Sequence, residues 1–178
     1  MTEYYNIMIG GEAGQGLLTV GNILSRALVR CGYSILVTKV YMSRIRGGHN
    51  TFSIRVGTED VPGPDHKVDL LVALTGETID IHRDELSENG RVVCDASLEK
   101  EGEEIVSVPF GDLAKKKVRN ITALGVVSAL LGLDSSTLVQ TMKDTFGGKH
   151  PEMDAQNEEA FKAGDSWARE NSADISGF

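Results

Sequence analysis

Residues 5–16, YNIMIGGEAGQG, constrain the fold of this chain more than any other stretch. Tyr5 to Ile9 is a short apolar run ending in glycine, which suits a buried strand. The glycines that follow let the backbone turn sharply and let another group come close. Val20, Leu24, Ala27, Leu28 and Cys31 then recur at helical spacing, and Gly32 ends that helix. Ser34 to Val40 reads as a second strand. Strand, glycine turn, helix, strand is the opening of a parallel α/β sheet.

The rest of the chain continues the pattern. Phe52, Ile54 and Val56 alternate on one face of a strand over 51–56, and VPGPDHK is a loop. VDLLVAL, 68–74, is apolar almost throughout, as a strand buried on both faces is. Thr75 can cap a helix that carries Ile79 and Leu86 and closes at ENG, 88–90. Strands are predicted in RVVCD and EEIVSVPF. Asn120 can cap ITALGVVSALLGL, apolar nearly all round and so a buried helix. Ser135 or Ser136 starts another helix, which Gly147 and Gly148 end. Pro151 opens the last one, with Met153, Asn157, Phe161, Gly164 and Trp167 facing inward. The expected architecture is a doubly wound, Rossmann-like α/β domain over 1–170, its mostly parallel sheet flanked by helices, with a polar tail at 171–178.

At 178 residues the chain can bury a core without disulfides or metals. No apolar run approaches the ~20 residues that span a bilayer. MTEYYNIMIGG has no basic leader region, so a cytoplasmic location with no targeting segment is expected. The net charge of −8 argues against sequence-independent nucleic-acid binding but leaves room for a local anion site. Cys31 and Cys94 read as buried free thiols, and the four histidines show no metal-ligand spacing.

Two segments carry chemistry. The glycine turn suggests a dinucleotide site, but from Gly11 its spacing is G-x-x-G-x-G rather than G-x-G-x-x-G. The second strand also lacks the acidic residue that would hold a ribose, and no Walker A lysine follows. The turn therefore serves either close packing or direct ligand contact through Gly11, Gly14, Gln15 and Gly16. The second segment, SRIRGGHN at 43–50, follows the second strand, on the edge where α/β sheets bind ligands. Arg44 and Arg46 would point the same way in an extended chain, and arginine's fork of donors suits phosphate or carboxylate. Gly47 and Gly48 offer bare backbone, and His49 and Asn50 add donors. The alternative is that both arginines pair with carboxylates of this chain or of a neighbour. No nucleophile–base pair, carboxylate dyad or catalytic motif accompanies them, so no catalytic residue is expected.

GGEAGQG, SRIRGGHNTFSIRV, VDLLVAL and NITALGVVSALLGL together resemble, in order, the gamma domain of 2-oxoacid:ferredoxin or flavodoxin oxidoreductases, from about residue 5 to residue 168. The resemblance implies a part of an enzyme that decarboxylates a 2-oxoacid, passes electrons to ferredoxin or flavodoxin, and forms an acyl-CoA. Thiamine diphosphate, magnesium and iron–sulfur clusters would then belong to alpha and beta subunits, with delta a further candidate. This chain would bind none of them alone and would be inactive in isolation. It would help form the coenzyme A or substrate side of the site through the ten residues named above, or contribute them to an interface. Many separate gamma subunits read closer to G-x-G-G-Q-G, whereas Ala13 stands here. The motifs look more like the version fused to the front of a long alpha subunit, often assigned to 2-oxoglutarate. Such a chain would continue past residue 178. The rival expectations are a purely structural assembly module and a standalone nucleotide-binding domain. A homodimer of the isolated chain is a further expectation, because a face made to cover a partner would otherwise be exposed.

Overall fold

A computed structural model describes residues 4–41, 48–147 and 151–171. Six strands form one sheet: β1 (Tyr4–Glu12), β2 (Ser34–Val40), β3 (His49–Gly57), β4 (Val68–Ala73), β5 (Leu86–Asp95) and β6 (Ile105–Val108). The helices are α1 (Leu17–Arg30), α2 (Gly76–His82), α3 (Phe110–Leu113), α4 (Arg119–Leu130), α5 (Ser135–Phe146) and α6 (Pro151–Asn171). The strand order is β2-β3-β1-β4-β5-β6. β1, β4, β5 and β6 pair in parallel, while β3 runs antiparallel to both β1 and β2. The doubly wound α/β architecture is thus present, with one modification. β1 and β2 share a direction but do not pair, because β3 folds back between them.

Side-chain alternation divides the core. Ile7, Ile9, Phe52, Ile54, Leu70 and Val72 face the main helical layer, built from α1, α4 and α6 with Leu138 and Met142 of α5. Leu71, Ala73, Val92 and Cys94 face the other way, onto Ile79 of α2. On that second face a groove of about 310 Å³ runs over β1, β3 and β2, bordered by the loop Pro64–Lys67 and lined by Met8, Leu36, Val40 and Arg55. Val40 and Tyr41 are exposed at the end of β2.

The helix expected to run through Leu86 ends at His82, after one 3₁₀ turn the chain enters β5. Its first residue pairs with Val68, and a register shift between Val68 and Leu70 absorbs residues 87–90 as a bulge. Asp69 holds the irregularity by accepting from the Ser87 hydroxyl at 2.6 Å and from the Asn6 backbone N–H at 2.7 Å. Met153 is exposed and Trp167 half-buried; the inward face of α6 is Asn157, Ala160, Phe161, Gly164 and Ala168. Cys94 is buried, but Cys31 lies exposed just past the last turn of α1.

Two caps are local and legible. Thr75 accepts from the Thr78 N–H and starts α2. Asp134 accepts from the backbone N–H groups of Ser136 and Thr137, the latter at 2.9 Å, and starts α5. Hydrogen bonds from the Ser136 and Thr137 hydroxyls, then from the Thr137 amide, push the Asp134 carboxyl down to about 2. A depressed carboxylate stabilises the fold above its unfolded value of 3.8 and loses that contribution as pH falls through about 2. Asp134→Ala should therefore be less stable than the parent at pH 7, and the gap should close between pH 4 and pH 2. Parallel thermal melts across that range check this; a gap independent of pH would mean the carboxylate charge is not what caps α5.

Candidate functional site

β1 leads into α1 on one face and β4 leads into α2 on the other, so the carboxyl ends of these neighbouring strands open a crevice. Open α/β sheets place ligands at such points. The crevice measures about 570 Å³ and is lined by Gly14, Gln15 and Gly16 after β1, Ala73 and Leu74 at β4, and Asp95 at the end of β5. Phe110, Lys116, Lys117, Arg119 and Asn120, all beyond β6, complete it.

The glycine turn shapes one wall. Gln15 folds its side chain back, and its Oε1 accepts from the Glu12 N–H at 2.9 Å. A β-carbon on Gly11 would collide with that oxygen and with Leu74. Gly16 precedes α1 with φ 76°, in the left-handed region that glycine tolerates. A side chain there would also run into the Asn120 amide. Because Gly16 offers no capping oxygen and the first turn of α1 holds no acidic residue, the helix begins without a side-chain acceptor for its free N–H groups. Such an end favours an anion.

The opposite wall supplies full charges. Lys116 and Lys117 are exposed and have no carboxylate partner among the described residues. Arg119 reaches Asp95 at 3.4 Å, while its Nε is buried without a hydrogen-bond partner. α4 also begins without a side-chain cap; Asn120, expected to cap it, lies within its first turn and turns its amide toward Gly16. Three cations and two uncapped helix starts thus converge on one crevice, against a single carboxylate, in a chain of net charge −8.

Sequence reading missed this wall. The signal was present in KKKVRN, 115–120, four basic residues within five positions directly before a buried helix. Of the residues it did single out, Gly14, Gln15 and Gly16 line the crevice. Gly11 lies behind it, against Gln15 and Leu74. Arg44, Arg46 and Gly47 fall outside the described residues. Gly48 has φ 111°, and His49 and Asn50 begin β3, buried, opposite Glu12 and Gly11. His49 and Asn50 therefore lie on the edge that carries the glycine turn. Among the described residues no group of three or more His, Cys, Asp or Glu side chains could hold a metal ion, and no helix is long and apolar enough to cross a membrane.

Residues 6–167 match the family model described as pyruvate ferredoxin/flavodoxin oxidoreductase. A curated relative, ketoisovalerate oxidoreductase subunit VorA of Methanothermobacter thermautotrophicus, is 31% identical over 175 residues, spanning 93% of this chain and 36% of that protein. The gamma subunit of a keto/oxoacid ferredoxin oxidoreductase from Geobacter sulfurreducens superposes with a TM-score of 0.78 at 26% identity, covering 93% of this chain and 96% of the other. A 2-oxoglutarate:ferredoxin oxidoreductase from Magnetococcus marinus shares the fold, with a TM-score of 0.87 and 23% identity over 100% of this chain and 33% of that one. The chain spans about a third of the length of the VorA relative and of the Magnetococcus protein.

Proposed function

The chain belongs to the pyruvate ferredoxin/flavodoxin oxidoreductase family, and on that premise we propose that it forms the coenzyme A side of the active site in a 2-oxoacid:ferredoxin oxidoreductase. The observation that carries the reading is the convergence of Lys116, Lys117 and Arg119 with the uncapped start of α1 on one crevice. Coenzyme A is a polyphosphate, and phosphates bind where cations and free helix N–H groups meet. Leu74 and Phe110 offer apolar wall beside those charges. Arg44 and Arg46 add cations from the neighbouring segment, and Gly11, Gly48, His49 and Asn50 shape the edge between them.

Among the described residues the crevice has no nucleophile–base pair, and on this reading the chain binds and orients while decarboxylation and electron transfer proceed on other subunits. Thiamine diphosphate, magnesium and iron–sulfur clusters supply that chemistry from alpha and beta parts, and ferredoxin or flavodoxin takes the electrons. The groove over β1, β3 and β2, with exposed Val40 and Tyr41, suits docking on such a partner. Among oxoacids, the motif resemblance favours 2-oxoglutarate.

Steady-state kinetics on the assembled enzyme test the reading. ADP should compete with coenzyme A and pantetheine should not, because the crevice addresses phosphates. Arg46→Ala should raise the apparent KM for coenzyme A or for the oxoacid. Competition by pantetheine alone would sink the phosphate assignment, and an unchanged KM in an intact complex would remove Arg46 from the contact set. Failure of the complex to assemble in Arg46→Ala would instead favour the assembly-module reading.

A further inference from the structure

His49 and His82 are 33 residues apart in sequence, yet their rings meet on the second face of the sheet with Nε2 to Nε2 at 2.7 Å. His49 is the first residue of β3 and His82 the last of α2, and they are 6% and 8% exposed. The chain of contacts continues outward, since His82 Nδ1 lies 2.8 Å from Glu85 Oε2. The space for the contact comes from Gly10: a β-carbon there would crowd His49 Cε1 and strike Thr78.

The proton inventory is restrictive. An ionised carboxylate only accepts, so the proton between Glu85 and His82 resides on His82 Nδ1. A 2.7 Å nitrogen–nitrogen contact needs one proton between the rings, neither none nor two. With both rings neutral, His82 Nε2 is a lone pair and His49 Nε2–H must donate to it. His49 Nδ1 is then a bare acceptor, and this atom is indeed buried without a hydrogen-bond partner. One added proton can be accommodated on His82, between Glu85 and an accepting His49. A second puts donor against donor and cation against cation between rings that are 6% and 8% exposed. The contact cannot survive that state.

We propose that Glu85–His82–His49 is an acid-sensitive latch that fastens the start of β3 to α2. The groups around His49 set its range. Burial and the neighbouring His82 hold the ring's pKa below the ordinary histidine value, while Glu77 of α2 and Glu85 oppose them. Glu12 is its register partner on β1. A base whose folded pKa is depressed stabilises the fold fully above its unfolded value of 6.5 and progressively less as pH falls toward the folded one. The latch is therefore closed at neutral pH and opens on acidification. His49 and Asn50 pair with Glu12 and Gly11, so opening releases the strand that borders the glycine turn. The device stands on its own geometry, whichever ligand the crevice takes.

The test is a proton NMR titration of the four histidine Cε1–H signals in the full chain, with amide hydrogen exchange read at residues 49–52. His66, exposed, is the internal reference. The pair should bind its two protons in two linked steps, the second well below the His66 midpoint. The opening constant at residues 49–52, taken from exchange corrected for its intrinsic slowing in acid, should rise at least tenfold across that second step. His49→Gln and His82→Gln, made separately, should each abolish the rise, because one imidazole can protonate with no second cation facing it. Independent titration of both rings at the His66 midpoint would overturn the proposal. So would an opening constant that stays flat across the second step. The wild-type titration decides the matter even if either variant fails to fold.

Discussion

Gly164→Ala is expected to lower the unfolding free energy by about 2–3 kcal/mol, and Gly125→Ala by a similar amount. α4 packs on α6 with these glycines set against the opposite backbone. A β-carbon on Gly164 would approach the Thr122 carbonyl oxygen well inside van der Waals contact and lie 3.1 Å from Thr122 Cγ2. One on Gly125 would do the same to the Phe161 carbonyl oxygen and lie 2.9 Å from the Asp165 amide nitrogen. Hydrogen-bonded helix backbone cannot yield one atom at a time, so the two axes must separate. That loosens Leu124 and Phe161, both fully buried. The sign makes the test sharp. Glycine within a helix costs about 1 kcal/mol relative to alanine. At a loose crossing each substitution would therefore stabilise the protein. Urea midpoints that rise in either single variant would show that the helices do not meet here. The double variant should lose less than the sum of the singles, because one widening of the crossing relieves both clashes.

The second large effect concerns the crevice. Lys116→Glu combined with Lys117→Glu should raise the KM for coenzyme A by about a hundredfold in the assembled enzyme. Each reversal removes an attraction to phosphate and adds a repulsion, together about 1–2 kcal/mol at an exposed, salt-screened position. Two such changes amount to roughly 3 kcal/mol, and each 1.4 kcal/mol is a factor of ten. Stability should barely move, since both side chains are exposed and neither has an ion-pair partner among the described residues. The defect should shrink as salt is added, because screening weakens attraction in the parent and repulsion in the variant alike. A KM unchanged at low salt, with the complex intact, would show that phosphates do not approach these lysines.

Several sequence expectations were met because they are local. A capping oxygen, a glycine after a helix and an alternating strand each act within a few residues. Thr75, Gly32 and the stripe Phe52, Ile54 and Val56 are examples, and all stand where the pattern placed them. The misreadings share a different cause. The helical pattern over 76–90 contained Ile79 and Leu86, but β4 offered the second half a strand partner, and the ladder prevailed. Cys31 sits among apolar neighbours in sequence, yet its position past the end of α1 turns it to solvent. The site was half legible. Gly14, Gln15 and Gly16 announced themselves by composition, whereas Lys116, Lys117 and Arg119 carry no local mark of a site and reach it only because β6 brings them to the same edge.

Local patterning was enough for the α/β class, the order of most elements, the faces that go inward, and the family, because periodicity, caps and motifs are written in residues close together. Long-range packing alone reveals that β3 lies between β1 and β2, that Gly125 and Gly164 let two helices touch, and that His49 meets His82. It alone joined the glycine turn to the basic segment a hundred residues away. Those facts depend on which residues stand opposite one another across the sheet and between helices. A pattern of apolar and polar residues says which side of an element is buried; what it is buried against is settled only when the whole chain packs.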